Sequence, residues 1–206
     1  VVLTGASDNL HWFETEMSTE ALAVGPTFET PVITETTTYW VEDRSAGNMV
    51  EAQGGRTEQG DGQYHDNSIR WLVFDAAEDI VIHSVDVFAD GACEREIGVI
   101  DSDGNVVSTA TVQVADGAST VIIDLEVPAG EGYGLRSLDE DPQLWRDGPG
   151  SGIDYPYALG DLATIQQSTA GGNNAYNYYY FFYNWVVQTP FVACVSERVP
   201  VTISFV

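Results

Sequence analysis

The segment Leu144-Trp145-Arg146-Asp147-Gly148-Pro149-Gly150, with Ile153-Asp154-Tyr155-Pro156-Tyr157 after it, gathers the side chains best suited to contacting a ligand. Flat aromatic faces stack on sugar rings, while Arg and Asp exchange hydrogen bonds with hydroxyls. Set in a glycine-proline frame, this combination predicts a sugar-binding platform made of Trp145, Arg146, Asp154, Tyr155 and Tyr157. The competing reading is an ordered loop whose aromatics tuck back onto the fold and whose Arg146 pairs with Asp147 or Asp154.

Oxygen side chains at alternate positions of Asp101-Ser102-Asp103-Gly104-Asn105 have a spacing that calcium loops use. The pattern departs from an EF-hand, because glycine stands at the fourth position and no glutamate at the twelfth. Asp-Gly between two apolar strands is also the strongest short hairpin signal, and a turn is the preferred reading. A second acidic cluster, Glu58, Asp61, His65 and Asp66, precedes the strand-rich part of the chain, and Asp139-Glu140-Asp141 forms a third. No cofactor is expected apart from a structural calcium, for which Asp101, Asp103 and Asp61 are the candidate ligands; solvated carboxylates are the alternative.

A search for catalytic patterns yields little. His11, His65 and His83 stand on three separate segments without ligand spacing, and neither a nucleophile elbow nor a phosphate loop is present. With 32 carboxylates in the chain, some pair always lies near another, so proximity alone does not identify a glycosidase. The chain is read as a non-enzyme, with a polysaccharide hydrolase as the minority reading. Cys93 and Cys194 show neither CxxC nor CxxH spacing. Two cysteines far apart in such a chain suit one disulfide joining them, with two buried free thiols as the alternative.

The elements that must position these residues are strands. At 206 residues, 44% hydrophobic and 11% aromatic, the chain is long and apolar enough for one or two globular domains. Thirty-two acidic residues face seven basic ones, all Arg, for a net charge of −25, which excludes nucleic acid and anionic lipid as partners. No apolar run approaches the ~20 residues that a membrane-spanning helix needs, so no membrane insertion is expected. The chain opens on Val1-Val2-Leu3-Thr4, which reads as a strand without a signal-peptide pattern, as in a mature or trimmed product.

Short strands and turns fill residues 1–43, and residues 44–67 are a glycine-rich connection. Strands then recur at Ile69–Phe74, Ile80–Phe88, Glu94–Ile100, Val106–Val114, Thr120–Val127, Gly132–Ser137, Ala163–Gln167, Tyr176–Val187 and Val199–Val206, which indicates a β-sandwich. Both faces of Tyr176–Val187 are aromatic, and an uncharged run of this kind is an aggregation hazard at an edge. It is expected inside a sheet, with partners on both sides.

The N-terminal pattern Leu10-His11-Trp12-Phe13, Ala21-Leu22-Ala23-Val24-Gly25-Pro26-Thr27-Phe28-Glu29-Thr30-Pro31 and Thr36-Thr37-Thr38-Tyr39-Trp40-Val41-Glu42 resembles Ig-like repeats from secreted and cell-surface proteins of Bacteroidetes-type bacteria. Farther on, Ile80–Phe88, Ile97–Val106, Tyr133-Gly134-Leu135, Phe182-Tyr183-Asn184-Trp185 and Cys194–Val201 resemble the jelly-roll modules that accompany those repeats. The resemblance implies an all-β chain with a partial Ig-like sandwich at 1–43, the connection at 44–67 and a jelly-roll-like β-sandwich at 68–206. It also implies a secreted, non-catalytic accessory or adhesion module; with the loop from Trp145 to Tyr157, the expectation is an extracellular or cell-surface module for adhesion or glycan contact, with a glycan or another surface ligand as partner. The Ig-like pattern starts at Val1 without its expected leading strand, and the chain ends on the apolar Val199–Val206. The second expectation is therefore a structural subunit of an extracellular filament or stalk, in which copies of the chain complete one another by strand donation. The alternative is that Val199–Val206 is an ordinary last strand of the jelly roll.

Overall fold

The computed structural model describes residues 1–47, 49–191 and 193–205, with the backbone alone for Ala46 and Ala193. The chain opens with β1 (Val2–Thr4), β2 (Leu10–Phe13), β3 (Ala23–Val24), β4 (Thr27–Glu29) and β5 (Thr37–Ala46). Next come β6 (Glu51–Gly54), β7 (Gly62–His65), β8 (Leu72–Ala76), β9 (Ile80–Ala89), β10 (Cys93–Ile100), β11 (Val106–Val114) and β12 (Gly117–Val127). They are followed by β13 (Gly130–Ser137), β14 (Leu144–Asp147), β15 (Tyr157–Leu159), β16 (Ala163–Ser168), β17 (Tyr179–Tyr180), β18 (Tyr183–Gln188), β19 (Ala193–Val195) and β20 (Val199–Ile203). Among the described residues the only helix is a 3-10 turn at Gly172–Asn174. The protein is all-β, as its sequence implies.

The strands form two compact units, Val1–Asn48 with Phe191–Val206, and Met49–Pro190. In the first, β1 pairs with β4, and β5 is flanked by β2 and by β19 and β20 in succession. Trp12, Phe28 and Tyr39 form its core, with Phe28 stacked on Trp12 and edge-on to Tyr39 at 5.0 Å. Val201 and Ile203 of β20 pack on the same cluster. The last strand therefore belongs to the Ig-like unit, although the sequence placed it in the jelly roll or left it unpaired; Val206 lies outside the described residues. Its register, Val199 opposite Val41 to Ile203 opposite Thr37, also accounts for Pro200, which only an edge strand tolerates.

Phe13 alternates with Trp12 and so points away from this core, yet it is fully buried. The Arg198 guanidinium covers its ring at 3.6 Å, with Arg44 at 5.6 Å. Glu42 joins both arginines at 2.6 Å, and Arg198 also donates to the carbonyls of Glu16 and Ser18. Burial works to raise the Glu42 carboxyl, but the hydrogen bonds from Arg198 and then Arg44 outweigh it and hold the group below the usual carboxylate range.

The second unit is a sandwich of two antiparallel sheets, in the orders β11-β10-β13-β8-β16-β15 and β17-β14-β9-β18-β6, with β12 also on β9 and β7 on β14. Inward side chains of both sheets, such as Leu72, Phe74, Ile97 and Val99 against Ile80, Ile82, Val85 and Leu125, fill one core. Each such residue contributes roughly 1.5–3 kcal/mol on leaving water.

The segment expected as a plain connection supplies two strands of this unit. β6 pairs with β18 through Trp185 opposite Gly54, and β7 pairs with β14 through Asp147 opposite Gly62. Both glycines are there for close approach, since a Cβ on Gly54 would strike the Ala158 carbonyl and one on Gly62 the Arg146 carbonyl. Of the connection, Asn48 lies outside the described residues.

The aromatic run is not one strand inside a sheet: β18 lies between β9 and β6, but β17 is an end strand paired, among the described residues, only with β14. Phe181 takes φ +68° and Asn184 φ +47°, and the chain folds back at Phe182, whose N–H reaches the Tyr180 carbonyl at 2.8 Å. A straight strand would send alternate rings to opposite faces. The kink instead buries Tyr179, Tyr180, Phe181, Phe182 and Tyr183 in succession, none more than 4% exposed.

Candidate functional site

Asp147 ends β14 with no exposed surface, and three groups converge on its carboxylate. The Arg56 Nε donates at 2.7 Å, the Gly60 N–H at 2.8 Å and the Trp145 Nε1 at 2.9 Å. The rest of the Arg56 guanidinium donates to the carbonyls of Gly152 and Ser151, and its backbone N–H to the Tyr179 hydroxyl. Arg56 thus ties the loop after β6, the end of β14 and the turn at 151–152 into one rigid rim. Burial tends to lower its pKa, but a hydrogen bond with Tyr157 and the Asp147 charge more than compensate, so the cation is firmly held.

Beside this rim lies an open cleft of about 330 Å³, lined by Arg56, Glu58, Gly152, Asp154 and Tyr157 among others. The Tyr157 hydroxyl accepts from the Asp154 backbone N–H at 2.9 Å, which holds the ring against the loop. Behind it, Tyr155 is edge-on to Tyr157 at 5.2 Å, stacked with Tyr179 at 5.9 Å, and donates its hydroxyl proton to the Tyr178 carbonyl. Burial raises the phenol pKa values of Tyr155, Tyr179 and Tyr183 far above the ordinary tyrosine range. One aromatic ring, that of Tyr157, lines the cleft, backed by the buried tyrosines, with the exposed carboxylates of Glu58 and Asp154 at its rim.

Of the predicted platform, Asp154 and Tyr157 line this cleft and Tyr155 backs it, whereas Trp145 and Arg146 do not. Trp145 is half-buried on β14, edge-on to Tyr64 at 5.1 Å, and its indole N–H is consumed by Asp147. Arg146 lies over the Tyr178 ring at 4.7 Å and pairs with neither Asp147 nor Asp154. The cation of the site, Arg56, was not singled out in the sequence. Its signal was scarcity, since Arg56 is one of seven basic residues and stands in a segment read as linker.

Of the metal candidates, Asp61 adjoins the rim, and Asp101 and Asp103 sit in a turn of their own. Both carboxylate oxygens of Asp101 are occupied within their own turn, by the N–H groups of Asp103 and Asn105 and by the Asn105 side chain. The Asn105 side-chain hydrogen bond, before the backbone ones, lowers the Asp101 carboxyl below its ordinary value. Asp103 is exposed in that turn, and Asp61 is exposed with its carbonyl accepting from Gly148 and Ser151. Among the described residues, no group of three or more His, Cys, Asp or Glu is arranged to hold a metal ion. His65 packs edge-on against Tyr180 and Phe181, and His83 pairs with Asp124 at 2.6 Å across β9 and β12. Cys93 and Cys194 are free and exposed, on strands of different units.

The first unit, with its buried Trp12 and paired β2 and β5, can be compared with known families. Residues 1–57 match the family described as "Ig-like domain CHU_C associated". This Ig-like match covers less than a third of the chain and runs past β5 into β6 and Arg56. No curated protein matches the chain. Among solved structures, a chain of the "Structure of infectious bursal disease virus Gx strain" aligns over 95% of this chain at 14% identity and a TM-score of 0.27. This chain spans 60% of that one, and so loose a superposition assigns nothing here.

Proposed function

We propose that the chain is an extracellular, non-catalytic surface module, an Ig-like unit with a jelly-roll-like sandwich inserted in its sequence, which contacts glycans through the cleft at Arg56, Glu58, Asp154 and Tyr157. The observation that carries this reading is the cleft itself. Concave, rigidly framed sites with an aromatic wall and a few convergent polar groups are the usual form of small-ligand sites. Here Tyr157 supplies a ring face, Glu58 and Asp154 supply acceptors for sugar hydroxyls, and the Arg56–Asp147 pair fixes the frame. The Ig-like match supports a surface module, and the charge of −25 suits a solvated exterior. Among the described residues, no helix is long and apolar enough to cross a membrane. The filament reading loses one of its two supports, because β20 pairs with β5 along its whole length, and no further observation favours it.

A glycan array with the wild type, Tyr157→Ala and Trp145→Ala tests the proposal. Tyr157→Ala is expected to weaken binding about tenfold, in line with the loss of one aromatic stacking contact. Trp145→Ala should lower stability more than affinity. A wild type that binds no glycan overturns the proposal, and release of reducing ends from a polysaccharide panel would replace it with the hydrolase reading.

A further inference from the structure

A second cleft, of about 250 Å³, opens on the same loop, lined by Pro149, Gly150, Gly152, Ile153, Tyr176 and Asn177. The two clefts meet at Gly152, which lines both. Gly152 has φ +67°, and a Cβ built there would meet no atom within 4 Å, so the junction is open. Tyr176 is 59% exposed, high for so large a ring, and its centroid lies 6.2 Å edge-on from Tyr155. Tyr155 in turn lies 5.2 Å from Tyr157. One buried-side ring therefore props two outer rings, one in each cleft, and their separation cannot exceed those two distances laid end to end. A short run of linked sugar rings covers that span.

Resting on the glycan reading above, we infer that the two clefts are successive subsites of one groove crossing at Gly152, and that the ligand is a neutral oligosaccharide rather than a terminal monosaccharide. Tyr157 stacks one sugar, Tyr176 stacks another, and the glycine lets the linkage pass over the backbone without a side chain in its way. Neutrality is argued from the first cleft, where Glu58 and Asp154 repel uronic or sialic acids and the Arg56 guanidinium is already paired with Asp147. Two stacking sites on one rigid chain bind a ligand that reaches both more tightly than either site alone.

The test is isothermal titration with neutral gluco-, xylo- and manno-oligosaccharides, from monomer to hexamer, alongside an acidic galacturonate series. Affinity should rise with length until both subsites are filled and then level off. Tyr176→Ala and Tyr157→Ala should each remove the length-dependent gain, about tenfold for oligomers that reach both subsites. Gly152→Asn, a residue that tolerates the left-handed region, should weaken long oligomers more than short ones. Affinity independent of length, or a Tyr176→Ala protein that behaves as wild type, overturns the two-subsite inference and leaves the glycan reading standing. Tighter binding of the acidic series overturns the neutral assignment. Failure of the wild type to bind any oligomer defeats the glycan reading itself.

Discussion

Truncating Asp147 to alanine probes the frame of the cleft most directly. The carboxylate has no exposed surface, and the Arg56 side chain that it pairs with is 13% exposed. Removing one partner of a buried ion pair costs about 3–5 kcal/mol, because the surviving charge stays desolvated. The N–H groups of Gly60 and Trp145 also lose their acceptor, each worth about 1–3 kcal/mol if left dry. These losses belong to one network and do not add, since water entering from the cleft relieves part of each. A total of about 4 kcal/mol is therefore expected. For a unit of the size of Met49–Pro190 this lowers Tm by on the order of 10–15 °C. Differential scanning calorimetry with tryptophan emission measures the loss, and the exposed Asp154→Asn serves as control, with a change under about 0.5 kcal/mol. Replacing both partners, Arg56→Met with Asp147→Leu, should recover part of the loss, since no charge is then stranded. A fall of less than about 2 °C for Asp147→Ala would refute the claim that this pair holds the rim.

Three further outcomes follow from the same chemistry. Glu42 has a lowered folded-state pKa, so its contribution to the first unit is present above the unfolded value near 4.5 and is lost as pH falls through the folded one. Acid unfolding followed through Trp12 and Trp40 should therefore become less pH-dependent below about pH 5 in Glu42→Gln, and an unchanged profile would count against the arginine clasp. Tyr155, Tyr179 and Tyr183 have phenol pKa values raised by burial, so stability is intact below the ordinary value of 10.0 and falls above it as the unfolded chain releases their protons. Their tyrosinate absorbance should appear only together with unfolding, and a single smooth titration of all ten tyrosines in the folded protein would contradict their burial. Both cysteines are exposed, so iodoacetamide under reductant should add two groups to the folded chain; intact mass without reductant then reads whether the expected Cys93–Cys194 bridge forms.

What the sequence disclosed depended on how local the cause was. Val106–Val114 was located to the residue because its turn signal, Asp103-Gly104, and its alternation both lie within the strand and its border. β6 and β7 were missed because Gly54 and Gly62, read as flexibility, are dictated by carbonyls of Ala158 and Arg146 about a hundred residues away in sequence. The partner of β20 was misplaced for the same reason, since Val201 and Ile203 meet a core built by residues near the other end of the chain. Only the β18 half of the aromatic run lies in the sheet interior, β17 being an end strand, and the break between them at Phe181 needs a positive φ in a bulky residue, which no propensity signals. Asp154 and Tyr157, singled out by their types, do line the cleft at Arg56. Trp145 and Arg146 looked equivalent to them in sequence and differ only through the strand pairing that turns Trp145 toward Tyr64 and Asp147.

The scarcity of cations links the composition to the site. All seven basic residues are arginines, and each guanidinium has a structural partner inside its own unit. Arg44 and Arg198 share Glu42, and Arg56 holds Asp147. Arg70 donates to the Thr169 carbonyl and Arg95 to those of Pro142 and Gly91. Arg136 covers Trp71 and reaches the Ser68 carbonyl, and Arg146 covers Tyr178. Arginine suits these tasks better than lysine, because its planar fork satisfies several carbonyls at once and stacks on rings. The surface that remains is dominated by carboxylates, and Arg56, the guanidinium that lines the first cleft, is already paired with Asp147. On the glycan reading proposed above, recognition in that cleft rests on the Tyr157 ring and the Glu58 and Asp154 acceptors. Introducing a cation at the rim, Glu58→Arg, should accordingly convert the preference, raising affinity for galacturonate oligomers and leaving neutral ones within a fewfold of wild type. An unchanged preference would mean that charge at this rim does not select the ligand.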